Sequence, residues 1–241
     1  MTSWLTNALL RVAESPPEEL EGFALGRGLP SQIFEEMRIG LWEAQSEPAP
    51  DLSFAKQNGQ FGEKRAGWMS VPLWSPRCKL LGVIFRRWDG TKEFRDYMLP
   101  ESKVVPVFIG LTPSAMMRIW AGGSVWIVEG IFDMSISHVV PKEDVVLGCG
   151  TANLTRNQVN FLSRFLAVGA MVHVVFDTDK TGRDHAAGYT DPNTLKYHPG
   201  VVERLQKVGL NCRDVRYHGG KDPGEIWERG GKAALASAFN L

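Results

Sequence analysis

From residue 113 onward, short apolar runs alternate with stretches whose apolar residues recur at helical spacing, and this alternation restricts the possible folds more than any other feature of the chain. The runs are VWIV at 125–128, VVL at 145–147, MVHVVF at 171–176 and a fourth near 212–217. Between them the spacing predicts helices over 131–138, over 156–168, where Val159, Leu162 and Leu166 share a face, and over 201–208 after Pro199. Thr112 is placed to cap a further helix with Pro113 at its first position, and Gly122-Gly123 to end it. Strands this short and uniformly apolar need cover on both faces. The expected architecture is therefore α/β, a Rossmann-like parallel sheet flanked by helices through right-handed crossovers. Ligands of such sheets bind at the C-terminal ends of the strands.

The chain upstream reads differently. In EGFALGRGLPSQIFEEMRIGLWEA, Pro30 and Ser31 open a short helix that Gly40 closes, and SEPAPD at 46–51 marks a loop after which a new unit begins near Leu52. Between 68 and 100 the runs MSVPLW, LLGVIFRRW and FRDYML are punctuated by Ser75-Pro76 and Asp89-Gly90, and the Asp-Gly pair predicts an antiparallel hairpin. This gives a smaller α+β lobe over 1–110 and a larger domain over 111–241, in which 188–200 reads as a surface insertion.

The formal net charge of zero hides a partition: residues 1–50 are net −5, 51–100 net +4 and 101–241 net +1. Over 56–95 nine basic residues face three acidic ones, interleaved with Phe61, Trp68, Trp74, Phe85, Trp88 and Phe94. That mixture suits phosphates and stacked bases, and equally a solvated basic face around a small aromatic core. No stretch reaches the roughly 20 apolar residues of a membrane span, and the N-terminus lacks the pattern of a secretory leader, so a soluble intracellular protein with no membrane partner is expected. The three cysteines, Cys78, Cys149 and Cys212, are far apart and form no CxxC, which leaves buried thiols as the expectation. The five histidines, at 138, 173, 185, 198 and 218, show no metal-ligand spacing, and His173 reads as a packed strand residue.

Two acidic clusters follow strands. Glu129-Gly130 comes after VWIV, and Asp177-Thr178-Asp179 after VHVVF. Residues two apart on an extended segment project to one side, roughly 6–7 Å apart, so Asp177 and Asp179 should face a common space. Their repulsion favours a hard divalent cation such as Mg²⁺ or Mn²⁺, completed by a phosphate. Gly182 permits a tight turn into the next helix. Acids after strands also cap helices, and Asp133 fits the first turn of its own. The joint pattern, E-G-x-x-D after one strand and D-x-D-x-x-G after a later one, favours the metal reading.

VWIVEGIFD, VVFDTDKTG and GGKDPGEIW together resemble the Toprim domain of bacterial-type DNA primases. LGCGTANLT is similar to a further primase segment, Lys221-Asp222-Pro223 matches a primase tripeptide, and GVIFRRWDGTKEFRDYMLP is similar to the primase basic subdomain. The resemblance implies catalytic and metal-binding roles for Glu129, Asp177 and Asp179, with Asp133 a supporting ligand and Mg²⁺ or Mn²⁺ the cofactor. It also implies that Asp222 lies beside the site, that Lys221 meets phosphate, and that Arg86, Arg87 and Lys92 contact template or nucleotide. The activity so implied is synthesis of short RNA primers on single-stranded DNA from NTPs. A Toprim nuclease and a non-catalytic DNA-binding accessory module are the alternatives.

The chain departs from that family at several points. It has no Cys/His zinc module and no GxxxxGK[ST] sequence, Asp96 stands where the family has a basic residue before Tyr97, and Thr181 stands where Ala precedes the glycine. A compact primase of this kind suits a phage or mobile element, in the cytoplasm of a bacterial or phage-infected cell. A replicative helicase or a separate template-recognition protein would then be the expected partner.

Overall fold

The computed structural model describes residues 16–42, 67–77, 79–88, 94–98 and 107–241, with positions 7, 10, 13 and 14 before them; of 94–98 only the backbone path is described. The elements are α1 (Glu18–Gly26), α2 (Ser31–Glu36), β1 (Gly40–Trp42), β2 (Trp68–Trp74), β3 (Leu80–Arg86), β4 (Phe94–Met98), α3 (Pro113–Trp120) and β5 (Val125–Val128). A 3₁₀ segment (Phe132–His138) leads on to β6 (Val145–Gly148), α4 (Arg156–Phe165), β7 (Met171–Val175), α5 (Lys180–Ala187), β8 (Gly188–Thr190), β9 (Tyr197–Pro199), α6 (Val201–Gln206), β10 (Asn211–Asp214) and α7 (Pro223–Phe239).

The four expected strands form a parallel sheet in the order β10-β7-β5-β6. Successive side chains alternate between its faces, and so does the core. Val125 and Ile127 of β5, Val145 and Leu147 of β6 and Val172 and Val174 of β7 join α3, α4, α5 and α6 in one apolar cluster. Trp126, Val128, Val146 and Val175 point the other way, into a cluster with α1, α2, β2, the 3₁₀ segment and α7. The N-terminal elements therefore cover one face of the parallel sheet and share its core. Ile109 extends the sheet beyond β6 through paired hydrogen bonds with Gly148, 2.8 and 3.0 Å.

Strand order fixes where a ligand can enter. From β5 the chain goes to β6 on one side and then returns to β7 on the other, so the crevice between the C-terminal ends of β5 and β7 is the topological switch point. Val128 pairs with Val175 there, which brings Glu129 close to Asp177.

The N-terminal sheet is antiparallel, β1-β2-β3-β4, and its β3–β4 pairing is that of the expected hairpin, although the Asp89-Gly90 turn lies outside the described residues. Its aromatics form core: Trp68 and Phe85 are buried, Trp74 donates its indole N–H to the Met37 carbonyl, and Trp88 donates to the Gly67 carbonyl. Among the described residues the aromatics of this lobe thus pack inward rather than forming an open stacking platform.

Several expected boundaries shift for local reasons. The helix opened by Ser31 ends at Glu36, and Gly40 starts a strand instead of closing the helix. The 156–168 helix stops at Phe165 because Leu166 takes an extended backbone (ψ 137°), after a capping box of Thr155 and Gln158 that the sequence reading missed. The 131–138 segment is a 3₁₀ helix. The last strand spans Asn211–Asp214, with Val215 N–H still bonded to the Val174 carbonyl. The cap at Thr112 and the turn after α3 are as expected. Among the described residues no helix is long and apolar enough to cross a membrane.

Candidate active site

The loops after β5 and β7, the 221–222 corner before α7 and the end of β3 enclose an open cleft of about 360 Å³. Glu129, Asp133, Asp177 and Asp222 line it, with Lys221, and so do Arg27 and Arg86, beside Phe132. The Glu129 carboxylate accepts the N–H of Asp177 at 3.0 Å. Asp179 caps α5 by accepting the Gly182 N–H at 2.9 Å, and a Cβ on Gly182 would stand 2.3 Å from the Asp177 carbonyl oxygen, so only glycine lets the D-x-D loop turn this tightly. Asp222 likewise caps α7 through the Glu225 N–H at 2.7 Å. Asp133 is buried and accepts the Gly130 N–H at 2.7 Å.

Lys221 ties these pieces together. Its ammonium lies 3.1 Å from Asp177 and 3.3 Å from Asp179. Its backbone is fixed from two sides: the carbonyl accepts from Thr178 N–H at 2.8 Å and from the Tyr217 hydroxyl at 2.9 Å, and its N–H donates to Glu225 at 2.6 Å.

Burial and crowding act on the acids together. Burial, then the charges of Asp177 and Asp179, push Glu129 up to about 7, against the Asp177 N–H that favours its ionised form. Burial, then Asp222 and Asp177, push Asp133 up to about 7 as well. Asp177 is raised by burial although Lys221 opposes the shift, and Asp179 is lowered, chiefly by the Gly182 N–H. Among the described residues no three Asp, Glu, His or Cys side chains converge tightly enough, as they stand, to hold a metal ion. The donor set nonetheless fits a hard divalent cation: every candidate ligand is a carboxylate oxygen, and two of the acids are held short of full ionisation at neutral pH until positive charge offsets their repulsion.

Across the cleft, the guanidiniums of Arg27 and Arg86 lie 4.7 and 4.6 Å from the centre of the Phe132 ring. Arg27 is ion-paired with Glu228, and Arg86 is lowered from its usual range by burial and by Arg27. The cleft thus combines carboxylates with two fixed cations, a lining that receives a phosphate group bridged to a metal.

Of the sequence-derived residues, the structure brings Glu129, Asp133, Asp177, Arg86, Lys221 and Asp222 into one cleft, with Asp179 at its edge through Lys221. It does not bring Arg87, which turns to the Trp68 ring at 5.7 Å, and Lys92 lies outside the described residues. Sequence reasoning missed Arg27, Phe132, Gly150 and Thr151 in the lining. Gly150 and Thr151 belong to the LGCGTANLT segment already singled out, whereas nothing local marks Arg27, which arrives through the packing of α1. His173 is the packed residue expected, stacked on Trp126 at 4.0 Å. Cys149 is buried, and burial pushes its thiol up to about 12.

Residues 126–227 match a family model described as Toprim-like. A DNA primase of Clostridium acetobutylicum is 28% identical over 167 residues, which cover 68% of this chain and 25% of the relative; the chain thus aligns with about a quarter of that protein's length. The zinc-binding and RNA polymerase domains of Aquifex aeolicus primase superpose with a TM-score of 0.64 at 22% identity, covering 97% of this chain and 59% of that one. A DnaG catalytic core gives 0.68 at 15% identity, over 99% and 78%. A DnaG primase catalytic domain solved with single-stranded DNA gives 0.62 at 16%, over 99% and 79%. The parallel sheet and its switch-point acids lie largely within the segment, 126–227, that is similar to the Toprim-like family. The chain's fold over nearly the whole length is that of the DnaG-type primase catalytic core.

Proposed function

We propose that the chain is a primase catalytic core, a nucleotidyltransferase that makes short RNA primers on single-stranded DNA from NTPs with Mg²⁺ or Mn²⁺. The observation that carries the reading is the single cleft that Glu129, Asp133 and Asp177 line together with Arg27 and Arg86. In this reading Glu129, Asp177 and Asp179 hold the metal and Asp133 supports them. The bound cation supplies Lewis-acid charge at the attacking hydroxyl and the leaving pyrophosphate. Arg27 and Arg86 receive the triphosphate and fix its orientation, Lys221 meets it from the acidic side, and Asp222 holds the corner that positions Lys221. Arg87 and Lys92 belong to the template path, the 1–110 lobe carries that path and 111–241 the chemistry. A replicative helicase or a separate template-recognition protein would recruit the chain, in the cytoplasm of a bacterial or phage-infected cell.

The reading is supported by the DNA primase relative and by a fold neighbour solved with single-stranded DNA. Incubation with single-stranded DNA, labelled NTPs and Mg²⁺ or Mn²⁺, resolved on a denaturing gel, tests it. A ladder of short RNA products is expected. Degraded template instead of products would make the protein a nuclease, and neither outcome under any condition would leave a binding module.

A further inference from the structure

We propose that the β8–β9 hairpin is a second contact for single-stranded DNA, holding the strand beyond the acidic cleft; the proposal rests on the primase reading above. The hairpin lies outside both larger sheets, between α5 and α6. A two-stranded ribbon is marginal on its own, yet this one is braced at three levels. At its root, Gly188 (φ 95°) and Gly200 let two backbones meet where a Cβ on Gly200 would stand 2.3 Å from the Gly188 nitrogen. Along its length Tyr189 stacks on the cross-strand His198, with ring centres 5.1 Å apart, and takes His185 of α5 edge-on at 5.7 Å. At its turn the Asp191 carboxylate accepts the Asn193 N–H at 2.8 Å, and the Leu195 N–H returns to the Asp191 carbonyl at 2.8 Å.

The bracing presents Leu195, Lys196 and Tyr197 to solvent. Leu195 is 80% exposed in the left-handed backbone region (φ 54°), and Tyr197 is 52% exposed. A leucine held at positive φ and facing water costs free energy with no burial in return, which is strain stored where a partner acts. An apolar, a cationic and an aromatic side chain in succession are what stacks on bases and pairs with phosphates. Two more cations lie on the helix between the cleft and the hairpin's root: Lys180 and Arg183 are exposed and about one turn apart on α5, whose N-cap is Asp179 of the cleft. Eight residues of helix span roughly 12 Å, so the root of the hairpin stands about that far from the acids. Two of the nearby acids are engaged: Asp191 in the turn, and Glu203 by the Tyr197 hydroxyl at 2.6 Å and by Lys207 at 2.7 Å.

Fluorescence anisotropy with a labelled oligo-dT of about 20 nucleotides, on the full chain, tests the assignment. Replacing Leu195, Lys196 and Tyr197 together by Ser should weaken binding about tenfold, the scale of one lost stacking contact with its phosphate. The rate of the first dinucleotide bond at saturating template should stay unchanged. The single Lys196→Glu change, which disturbs no side-chain contact of the ribbon, should weaken binding at least about threefold and flatten its loss with salt, because fewer counterions are released. Wild-type affinity in both variants would overturn the hairpin contact and leave the primase reading standing. A wild-type chain that binds no oligonucleotide would overturn the primase reading and the hairpin contact with it.

Discussion

The backbone N–H of Asp177 donates to the Glu129 carboxylate at 3.0 Å, so the loop after β7 is pinned to the residue that ends β5. One carboxylate oxygen of Glu129 is thereby committed to the scaffold, and the other is left for the cleft. The bond draws the two acids together despite their repulsion, which is one of the causes that raise Glu129 to about 7.

Glu129→Gln separates scaffold from chemistry. Glutamine keeps an oxygen that accepts the Asp177 N–H but removes the charge, so the fold should survive. Primer synthesis should fall at least about a hundredfold, ~3 kcal/mol of barrier, with little change in single-stranded DNA affinity. The stabilisation that Mg²⁺ or Mn²⁺ gives the wild type against heat should shrink in the variant. Synthesis at the wild-type rate would remove Glu129 from the catalytic set.

Much of this site is legible in the sequence, for a physical reason. Glu129, Asp177 and Asp179 lie one, two and four residues beyond a strand end, and the sheet alone decides that strand ends meet. Asp133 follows from the same local rule, because its 3₁₀ segment starts at Phe132 right after the β5 turn. Arg27 is invisible for the opposite reason: its place over Phe132 depends on how α1 packs against the 3₁₀ segment and α7, a contact between distant parts of the chain. The same limit explains the basic lobe. Charge counting could not tell whether its aromatics face bases or one another, and burial of Trp68 and Phe85 decides it for those residues. Composition also hid the continuity of the core, since the sequence break near 46–51 suggests separate units while Leu20 and Phe34 share a cluster with Met69 and Trp126.

Asp133 gives the metal-free protein a pH signature. Burial holds its folded value at about 7, above the ordinary 3.8 of an aspartate, so the folded state holds the proton more tightly. The stability this confers is complete below about pH 4 and lost as pH rises through 7. Asp133→Asn keeps an acceptor for the Gly130 N–H and removes the titration. Chemical denaturation without divalent metal should find the variant equal to wild type near pH 4 and more stable at pH 8, by on the order of 3 kcal/mol. Parallel pH profiles would mean that Asp133 is solvated in the folded state.

His173 acts with the opposite sign. Burial, then Arg213, holds its folded value near 4, below the ordinary 6.5, because the ring stacks on Trp126 and its Nδ1 accepts from Arg213 at 2.9 Å. Its contribution is present above about pH 6.5 and lost as pH falls through 4. His173→Phe keeps an aromatic ring for the stack, so the difference in stability between wild type and variant should change by about 1–2 kcal/mol between pH 6.5 and 4, against the wild type at the lower pH. A difference independent of pH in that window would show that the histidine is free to protonate.

Arg27 and Arg86 should act on nucleotide binding. Both guanidiniums lie over one ring in the cleft lining, and neither is ion-paired with Glu129, Asp177 or Asp179 among the described contacts. Arg86→Gln should raise KM for NTPs about tenfold with a smaller effect on kcat, one charge-assisted contact with phosphate being worth roughly 1.5 kcal/mol. Arg27→Gln should do the same through a residue that no sequence pattern marks. An unchanged KM in both variants would reduce the arginines to a stacked lining of Phe132.

Lys221 is the cation that pairs with Asp177 and Asp179, and its removal should push two measurements in opposite directions. The ammonium lies 3.1 and 3.3 Å from Asp177 and Asp179, so a divalent ion that uses both carboxylates must work against its charge. Lys221→Met keeps the length of the side chain and leaves untouched the backbone bonds to Thr178 and Tyr217 that hold the corner. Mn²⁺ binding measured by titration calorimetry should therefore tighten, by about three- to tenfold for a charge removed from a half-exposed site. The same variant loses its contact with the triphosphate, so KM for NTPs should rise while metal affinity improves. Metal affinity that falls on removing the lysine would mean that Lys221 instead organises Asp177 and Asp179 into the geometry the metal needs.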